Sequence, residues 1–515
     1  MPLVAAAITG DGLVTQDGDL QHKIWIDGAE LKRAEEDIFK GMEGSGPEAL
    51  IETEMTTNRG KGMSAIYPQI GEFGDAPHQG GDRFSADEDF EEIIVGHDGV
   101  KADFHRWATS GDDRAEEIMG MRGQLFNRIN ELHGRRVGKF HCHHALMCAL
   151  HLPDFTGQNR KNPENVANPK GVTSQANILS TDTLSWQGIV RLQALMDPLG
   201  GMPFSSGRDA NGNEIRSRMV IPTAAAAVGL NLDPEFIAYQ KEAGDRGATN
   251  NLWAGGFPRV RGNIIREWNV IDQPGEVKVG SPLNPKAFLG TAITATDNAL
   301  FITGGRNATA AAKTKKKWFE DFPLYAYPFQ KGVTLSWTAP IGWQLSDDDT
   351  FFVTVVNPPN GADADKWCIY EVSANDGNKL TCVKRLGPTD SHSGSDIQYA
   401  TVGNVTWNST RNTQAHPSGA LIYLSTPTGT PLGATPMFGA CGLRRAWGKY
   451  KMALMKNLDT IEAGFIQEHY VVTVFGHAPR RDLGGAVPGI TVLRHAIEYE
   501  GWNHPRPTSL TEFAS

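Results

Sequence analysis

The chain has 515 residues, of which 40% are hydrophobic and 21% charged, and its formal net charge is -10. These proportions are those of a folded, soluble protein, and the length exceeds one ordinary core, so several sub-domains are expected. The negative net charge argues against a dedicated DNA-binding protein, which needs a basic surface. It is compatible with a protein that encloses nucleic acid without binding it tightly.

No run of the sequence is long and apolar enough to predict a membrane span, and the first residues lack the positive segment of a signal peptide. The cysteines are few and form no paired CxxC motif, which indicates a reducing compartment. They are Cys142, Cys148, Cys368, Cys382 and Cys441. Cys368 and Cys382 fall in neighbouring strand-like segments, where we expect them to remain thiols.

The N-terminal part of the chain resembles an arm followed by a long hairpin. One helical portion is predicted within the arm, at Ala29–Gly41. The hairpin begins with an apolar strand, Gly60–Pro68, in which the proline indicates an edge or an end. A polar excursion over Gly71–Phe90 follows, and a second strand-like segment returns to about Trp107. Two strands cannot bury a core of their own. The hairpin is therefore expected to lie on another chain, which is a first indication of assembly.

A helix is predicted directly after the hairpin, from Asp113 to His133. Asp112 or Asp113 can cap its first turn, and Gly134 supplies a stop signal. The apolar positions recur at helical spacing, namely at Ile118, Met121, Leu125, Ile129 and Leu132. Because this stripe is narrow, the helix is expected to lie on a sheet with its other face polar.

The central part of the chain alternates between loop signals and short regular elements. His151–Arg218 is interpreted as loop-like because prolines and glycines interrupt it, and Ser217–Pro222 is predicted as a strand. Asp233 followed by Pro234 is a strong helix start. Gly262–Trp268 is predicted as the next strand.

The C-terminal half begins with a change in composition. Strand-like runs separated by turn clusters predict a small β-rich module inserted at about 331–431. These runs are Phe351–Val356, Trp367–Tyr370 and Leu421–Leu424. A late helix near Met437–Trp447 is predicted to precede two strands, at Tyr470–Gly476 and Ile490–Leu493.

One cluster of side chains could bind a metal. His141–His144 is followed by Cys148 and His151, so that His144, Cys148 and His151 would share one face of a continuing helix and could ligate zinc or copper. No second histidine cluster completes a binuclear copper site, and no acidic general base lies within the cluster. Packing or surface histidines are the favoured interpretation, and a metalloenzyme remains an alternative.

The other patterns favour structural interpretations. Asp209–Glu214 begins like a calcium loop, but Glu214 occupies the position of the turn glycine, so a hairpin turn is favoured. A lysine run before Trp318 (Lys313, Lys315, Lys316 and Lys317) could contact phosphates but is more typical of a solvated loop. No phosphate-binding loop, nucleophile elbow or HExxH motif occurs. We therefore predict a protein that is not an enzyme, with no catalytic, cofactor-binding or metal residues.

Several of these segments together, in order along the chain, resemble the major capsid proteins of tailed bacteriophages, in the family typified by N-four-like podophages. The early resemblance lies in Gly60-Lys61-Gly62, in Gly80-Gly81-Asp82 with the return of the hairpin, and in Phe104-His105-Arg106. The later segments are Leu232–Phe236, Arg246–Trp253, Gly262–Glu267 and Phe438–Gly448. The cluster at His141, the stretch His151–Arg218 and the β-rich insert have no counterpart in the pattern.

The resemblance implies an α+β fold of the Hong Kong-97 type with a β-rich insertion. On this basis the chain divides into a 1–58 N-terminal arm, a 59–108 extended loop hairpin, a 109–150 spine helix of the peripheral domain, a 151–330 peripheral and axial core, a 331–431 insertion, and a 432–515 axial helix with C-terminal peripheral strands. Movement of the spine helix during maturation, with Gly120 and Gly123 as soft points, is a further hypothesis.

The implied function is a self-assembling icosahedral head shell around double-stranded DNA. The expected partners are further copies of the chain in pentamers and hexamers, a portal protein and, in some systems, scaffolding and decoration proteins, with no cofactor and no membrane. The protein would be assembled in the bacterial cytoplasm and be found in the virion. An encapsulin-like compartment is the alternative with the same fold.

Overall fold

The computed structural model describes part of the chain, and every structural statement below concerns that part. The described residues are 27–34, 36–55, 64–70, 95–112, 124–151, 166–167, 178–208, 214–238, 259–260, 262–268, 286–289, 292, 299–303, 351–357, 367–376, 379–386, 415–417, 420–426, 429–448, 453–458, 466–482 and 487–497.

The described elements are mainly strands with a few helices. The helices are α1 (27–34), α2 (Gln124–His151), α3 (Trp186–Met196), α4 (Ala224–Leu232) and α5 (234–238). The strands are β1 (Glu43–Gly44), β2 (Ile51–Met55), β3 (Ser64–Ile70), β4 (Val95–Lys101), β5 (Asp103–Asp112), β6 (Val166–Ala167), β7 (Phe204–Arg208), β8 (Glu214–Val220), β9 (Arg259–Val260), β10 (Asn263–Ile265), β11 (Lys286–Leu289), β12 (Ala299–Thr303), β13 (Phe351–Val356), β14 (Trp367–Asp376), β15 (Lys379–Leu386), β16 (Leu421–Ser425), β17 (Leu432–Phe438), β18 (Leu443–Trp447), β19 (Ala453–Leu458), β20 (Ile466–Pro479) and β21 (Ile490–Ala496). The predicted α+β class is confirmed.

The first sheet, which we call the spine sheet, has six strands in the order β1-β2-β18-β20-β19, with β5 also paired to β20. Its two faces are covered by different elements. The long helix α2 lies on one face, where Val137 packs with Trp107 and Val471. The two-stranded hairpin β3–β4 lies on the opposite face, where Ala65 and Val100 join the cluster that contains Val474. Alternate residues of β20 therefore serve two separate interfaces, as the period of a strand dictates.

The second sheet has seven strands in the order β6-β21-β17-β8-β10-β9, with β7 beside β8. Helices α3 and α4 pack against it: Leu192 of α3 and Leu230 of α4 share a buried cluster with Leu493 of β21. The predicted helix start at Asp233 is confirmed, because its carboxylate accepts from the Glu235 backbone N–H at 3.0 Å. The other carboxylate oxygen accepts from the Trp186 N–H at the start of α3, at 2.6 Å.

The β-rich module is a closed barrel of the strands β11-β12-β15-β14-β13-β16. Closure leaves no free sheet edge among these strands. The strands β11 and β12 precede residue 331, so the barrel draws on residues that the sequence interpretation placed in the preceding segment. The register sets Cys382 opposite Val372, while Cys368 lies opposite Val355, so the two cysteines do not face each other. Cys368 is a buried free thiol.

The prediction that the spine helix stops at Gly134 is wrong. Helix α2 continues through this residue to His151. The glycine serves close packing instead, because a Cβ at Gly134 would lie 2.3 Å from the carbonyl oxygen of Ala29 in α1. Asp112 belongs to β5, not to a helix cap. Leu132, which was placed in the buried stripe, is 47% exposed.

The predicted late helix at Met437–Trp447 is also wrong. The segment forms the strands β17 and β18, joined by a turn in which Cys441 has a φ of 48°. The turn is fixed from two directions, since the Ala440 N–H donates to the Met202 carbonyl and the Cys441 N–H to the Ala49 carbonyl. All residues of β17 are buried. A short buried segment is compatible with a strand or a helix, and the sequence alone does not separate them.

The stretch His151–Arg218 is more regular than predicted, because it contains α3, β7 and most of β8. The antiparallel pairing of β7 with β8 confirms that Asp209–Glu214 connects a hairpin. The strands predicted at 217–222, 262–268, 470–476 and 490–493 are all present. Pro68 lies inside β3, opposite His97 and not at its end, and β3 is an edge strand of a two-stranded sheet, as the proline indicated. None of the described helices has an 18-residue stretch apolar enough to span a membrane.

Candidate assembly interface

The hairpin β3–β4 buries one face and exposes the other. Tyr67 is 4% exposed and Val100 is fully buried against the spine sheet, whereas Ile66 is 59% and Val95 67% exposed. The register explains this alternation, because residues that point to the same face of an antiparallel pair are two apart in sequence. The outer face thus exposes two branched apolar side chains, Ile66 and Val95.

Charged groups anchor the root of the hairpin. Arg444 of β18 is 4% exposed; its Nε donates to Glu52 at 2.9 Å and its Nη1 to Asp98 of β4 at 3.0 Å. The guanidinium also lies over the Tyr67 ring, 4.5 Å from its centroid. The Tyr67 hydroxyl donates to the Arg445 carbonyl at 2.9 Å. Burial, followed by the nearby Glu52 carboxylate, raises the pKa of Tyr67. These contacts tie both hairpin strands to the sheet.

The opposite face of the spine sheet contains a group of four histidines, which we call the histidine cluster: the buried His141, His144 and His477 and the partly buried His105. A chain of hydrogen bonds fixes two of the tautomers. Arg445 donates from Nε to His477 Nε2 at 2.5 Å, and arginine has no acceptor. The proton of neutral His477 must therefore be on Nδ1, which lies 3.0 Å from His144 Nδ1. His144 accepts there and carries its own proton on Nε2.

The histidine cluster is held in the neutral form. Burial, and then the Arg445 charge, lower the pKa of His141 and His477 well below the ordinary value of 6.5. Burial lowers the pKa of His105 to about 4. The positive charge of the fully buried Arg445 is compensated by an ion pair with Glu43 of the N-terminal segment. The cluster depends on this pairing, since an uncompensated buried guanidinium is costly.

The proposed metal ligands come together only in part. His144 and Cys148 do meet, with 3.4 Å between Nδ1 and Sγ, and the side chain of His151 lies outside the described residues. His144 also contacts His477 Nδ1, and His477 Nε2 accepts a hydrogen bond from Arg445. No three His, Cys, Asp or Glu side chains of the described part of the chain are arranged to hold a metal ion.

The N-terminal helix α1 lies in a groove of α2 that two glycines create. A Cβ at Gly138 would lie 2.5 Å from the Arg33 carbonyl oxygen, one turn beyond the same contact between Gly134 and Ala29. Arg33 of α1 reaches His141 Nδ1 at 3.5 Å and lies over the Trp447 ring at 5.8 Å. Residues 27–55 of the predicted arm are thus integrated into the spine sheet and its helix.

Sequence reasoning placed His144 and Cys148 on one helical face correctly, but it missed His477, Arg445 and Glu43. These residues are far apart in the chain, and a lone histidine or arginine in a strand gives no local signal. The lysine run at 313–317 lies outside the described residues, as does the polar excursion Gly71–Phe90. The four described cysteines, Cys142, Cys148, Cys368 and Cys441, are free thiols, as predicted.

No family model and no curated protein matches the sequence. Among solved structures, the chain is similar to the capsid of Ralstonia phage GP4, with 11% identity, coverage of 91% of this chain and 93% of that chain, and a TM-score of 0.48. The cyanophage Pam1 capsid is 10% identical over 89% of this chain and 92% of its own, with a TM-score of 0.46. The capsid of Helicobacter pylori bacteriophage KHP30 is 10% identical over 90% and 91%, with a TM-score of 0.44. Each of the three is a phage capsid, the class that the sequence resembles; the N-four-like subfamily stays a prediction.

Proposed function

We propose that this chain is the major capsid protein of a tailed bacteriophage and that it assembles into the icosahedral head shell. The observation that carries the proposal is the hairpin β3–β4, whose root is anchored by Arg444 while its outer face exposes Ile66 and Val95. The ordered sequence resemblance supports the same conclusion. The role is structural, and the Hong Kong-97-type fold is part of the proposal.

The physical logic of assembly follows from the hairpin. A heterologous contact forms when the surface that one copy exposes is covered by a different surface of the next copy. Repeated heterologous contacts close into a ring or shell when the rotation between copies permits. Pentamers and hexamers of this chain, together with a portal protein, would form the head, with scaffolding or decoration proteins as further partners. Assembly would take place in the host cytoplasm, and the product would be the virion shell around double-stranded DNA.

The test is electron microscopy of the full chain expressed alone and fractionated by sedimentation. We expect shells, tubes, or regular five- and six-fold rings. A homogeneous small oligomer would contradict the proposal. Monomer alone calls for co-expression with the scaffolding protein of the same phage, and monomer there as well would equally contradict it. Particles that contain protein cargo and no DNA during infection would favour the encapsulin-like alternative.

A matched pair of variants tests the hairpin itself. Ile66→Asp with Val95→Asp places charge on the exposed face, and we expect folded subunits that fail to close into shells. The control is Leu232→Asp with Met202→Asp, since these residues are similarly exposed, at 61% and 65%, but lie at the end of α4 and in the segment before β7. Normal shells from the hairpin variant would remove the assembly role of this face.

A further inference from the structure

Strand β5 forms one edge of the spine sheet, because in the described part of the chain it pairs with β20 alone. The Val474 carbonyl of β20 accepts from the Gly448 N–H at 2.8 Å, so the polar backbone groups of Val474 point away from β5. Phe104 lies opposite Val474, and its N–H and C=O groups therefore point away from β20, towards the outer edge. By the alternation of a strand, the same holds for Arg106, Ala108 and Ser110.

The outer edge of β5 is long and unprotected. Its ten residues contain no proline, and their register with β20 has no bulge from Asp103 to Asp112. Phe104 is 49% exposed, Arg106 and Ala108 are exposed as well, and the Arg106 guanidinium lies over the Phe104 ring at 5.6 Å. Natural sheets cover or interrupt such edges, because a free row of N–H and C=O groups pairs readily with another strand. An edge of about 33 Å is therefore expected to be paired in the assembled protein.

A second copy of β5 has the geometry of a partner strand. Two identical strands that pair antiparallel are related by a two-fold axis perpendicular to their sheet, because residues opposite each other point to the same face. The hairpins of the two copies would then lie on one face of a continuous sheet, and both α2 helices on the other. Neighbours in a closed shell need this relation, since the two-fold axes of a shell run perpendicular to its surface.

One register satisfies both the hydrogen-bond phase and the charges. It sets Arg106 of each copy opposite Asp112 of the other, so that an opposite-charge pair forms twice. Both residues belong to the outward-pointing set, as the phase requires. A slip of two residues places Ala108 opposite itself and Arg106 opposite Ser110, which loses both charge pairs. The charges of β5 are thus complementary to those of an antiparallel second β5.

The middle of this register is also free of steric conflict. Thr109 meets its own copy at the two-fold axis, and threonine pairs are favourable across strands. Trp107 lies opposite Gly111, which has no side chain. The glycine leaves room for the Arg136 guanidinium, which lies over the Trp107 ring at 5.8 Å. Seven residues of each strand, from Arg106 to Asp112, can therefore pair without rearrangement of α2.

We propose that β5 pairs with β5 of a second copy across a two-fold axis, with Arg106 opposite Asp112, and that this contact joins one ring of subunits to the next. The inference rests on the proposed function and adds the contact between rings. The hairpin makes a heterologous contact, which builds a ring, whereas the β5 contact is isologous and links two rings. The two six-stranded spine sheets become one continuous sheet.

The first test places a thiol on the proposed axis with Thr109→Cys. The two cysteines would form a non-hydrogen-bonded pair, in which Cα atoms are about 4.5 Å apart, within the span of a disulfide. After assembly and mild oxidation, we expect most variant chains to migrate as dimers on non-reducing gels. The wild-type chain gives the monomer baseline, since its four described cysteines are buried.

The matched control is Ala108→Cys, which adds a thiol at the neighbouring and more exposed position. Its partner position is Ser110, so we expect monomers. Dimers from Ala108→Cys alone, equal dimer formation by both variants, or dimers from neither would each overturn the inference.

The second test reverses a charge. Arg106→Asp sets like charges opposite each other twice, and we expect free five- and six-fold rings instead of closed shells in sedimentation and electron microscopy. Combining Arg106→Asp with Asp112→Arg exchanges the two charges and should restore closed shells. The control is Arg216→Asp, whose side chain is 54% exposed on β8 outside the spine sheet, and which should leave the shells closed.

The outcomes separate this inference from the proposed function. Closed shells from Arg106→Asp, or rings that the charge exchange does not convert into shells, would overturn the inference. Loss of the rings themselves in Arg106→Asp would also overturn it, because the damage would then extend beyond the contact between rings. Failure of the wild-type chain to form rings or shells, with or without scaffolding protein, would instead contradict the proposed function.

Discussion

Different types of interaction hold α2 and the hairpin on the two faces of the spine sheet. On one face, α2 is held by neutral histidines, aromatic rings and a fully buried arginine whose compensating charge comes from Glu43. On the other face, the hairpin is held by partly buried ion pairs of Arg444 and has its outer side exposed. A buried, closely packed interface of this kind holds the helix on the sheet through many contacts. Charge pairs at the root fix the direction of the hairpin while leaving its outer surface available to a partner.

The largest expected effect concerns pH and the α2 face. A histidine with a lowered folded pKa remains neutral when folded but takes up a proton when unfolded, so its stabilising contribution is lost as the pH falls below the unfolded value of 6.5. For His105, with a pKa of about 4, the loss is about 1.4 kcal/mol for each pH unit between these values. The pKa values of His141, His144 and His477 are lowered in the same direction.

Urea unfolding of the full chain at pH 7.5, 6.5 and 5.5 measures this loss. We expect a steep decrease in the free energy of unfolding below pH 6.5. His105→Gln should reduce the number of protons taken up on unfolding by about one. A profile that is flat from pH 7.5 to 5.5 would show that the histidines titrate normally in the folded protein.

Removing the compensating charge of Arg445 should have the next largest effect. Glu43→Gln leaves a fully buried guanidinium without its carboxylate, and we expect the free energy of unfolding to fall by about 3 kcal/mol. The control is Glu48→Gln, since the Glu48 side chain is 63% exposed and lies 3.8 Å from Arg216. Its expected change is within about 0.5 kcal/mol. Equal effects of the two substitutions would show that Arg445 is compensated elsewhere.

A glycine-to-alanine substitution in the groove between α1 and α2 should have a smaller effect on stability, and one opposite in sign to that expected from helix propensity. Alanine ordinarily stabilises a helix relative to glycine by about 1 kcal/mol, but Gly138→Ala places a Cβ 2.5 Å from the Arg33 carbonyl. We expect a net loss of about 2 kcal/mol from overpacking, measured by thermal melting. Gly28→Ala in α1, where no atom lies within 4 Å of the added Cβ, should be neutral or stabilising. Stabilisation by Gly138→Ala would mean that the two helices are not in close contact.

The smallest expected effect is on the hairpin. Tyr67→Phe removes the hydroxyl that donates to the Arg445 carbonyl at 2.9 Å and should cost about 1 kcal/mol. Because the hairpin pairs with no other strand and packs on the spine sheet through one face, we expect the loss as faster hydrogen exchange in β3 and β4, with an unchanged melting temperature for the rest of the chain. Faster exchange throughout the spine sheet would show that the hairpin is part of the main cooperative unit.

Local signals predicted much of the fold. The β-branched run of β20 and the cap at Asp233 were recognised because each acts within a few residues. The failures are equally specific. Gly134 matches a helix stop locally, but its contact with Ala29 is more than 100 positions away in the chain, and the sequence does not reveal which glycines lie beneath another helix. The buried run before Cys441 fits a strand as well as a helix.

The candidate site was predicted in outline only. The anchoring role of Arg444 depends on Glu52 and Asp98, which reach it from different strands, and no motif joins the three residues. The same holds for the pairing of His144 with His477. Hydrophobic patterning predicted the hairpin strands, which pack on the spine sheet of the same chain; that their outer face needs a partner stays a prediction, and the polar contacts that orient the hairpin depend on tertiary structure.

The closed barrel has a consequence for how this chain can change. Its first strand, β11, pairs antiparallel with its last strand, β16, so that Lys286 lies opposite Tyr423. The chain therefore enters and leaves the barrel through adjacent strands, and the surrounding fold needs only to supply two neighbouring chain ends. With neighbouring entry and exit strands, the barrel can be replaced by another compact domain with adjacent termini without redesign of the rest of the subunit.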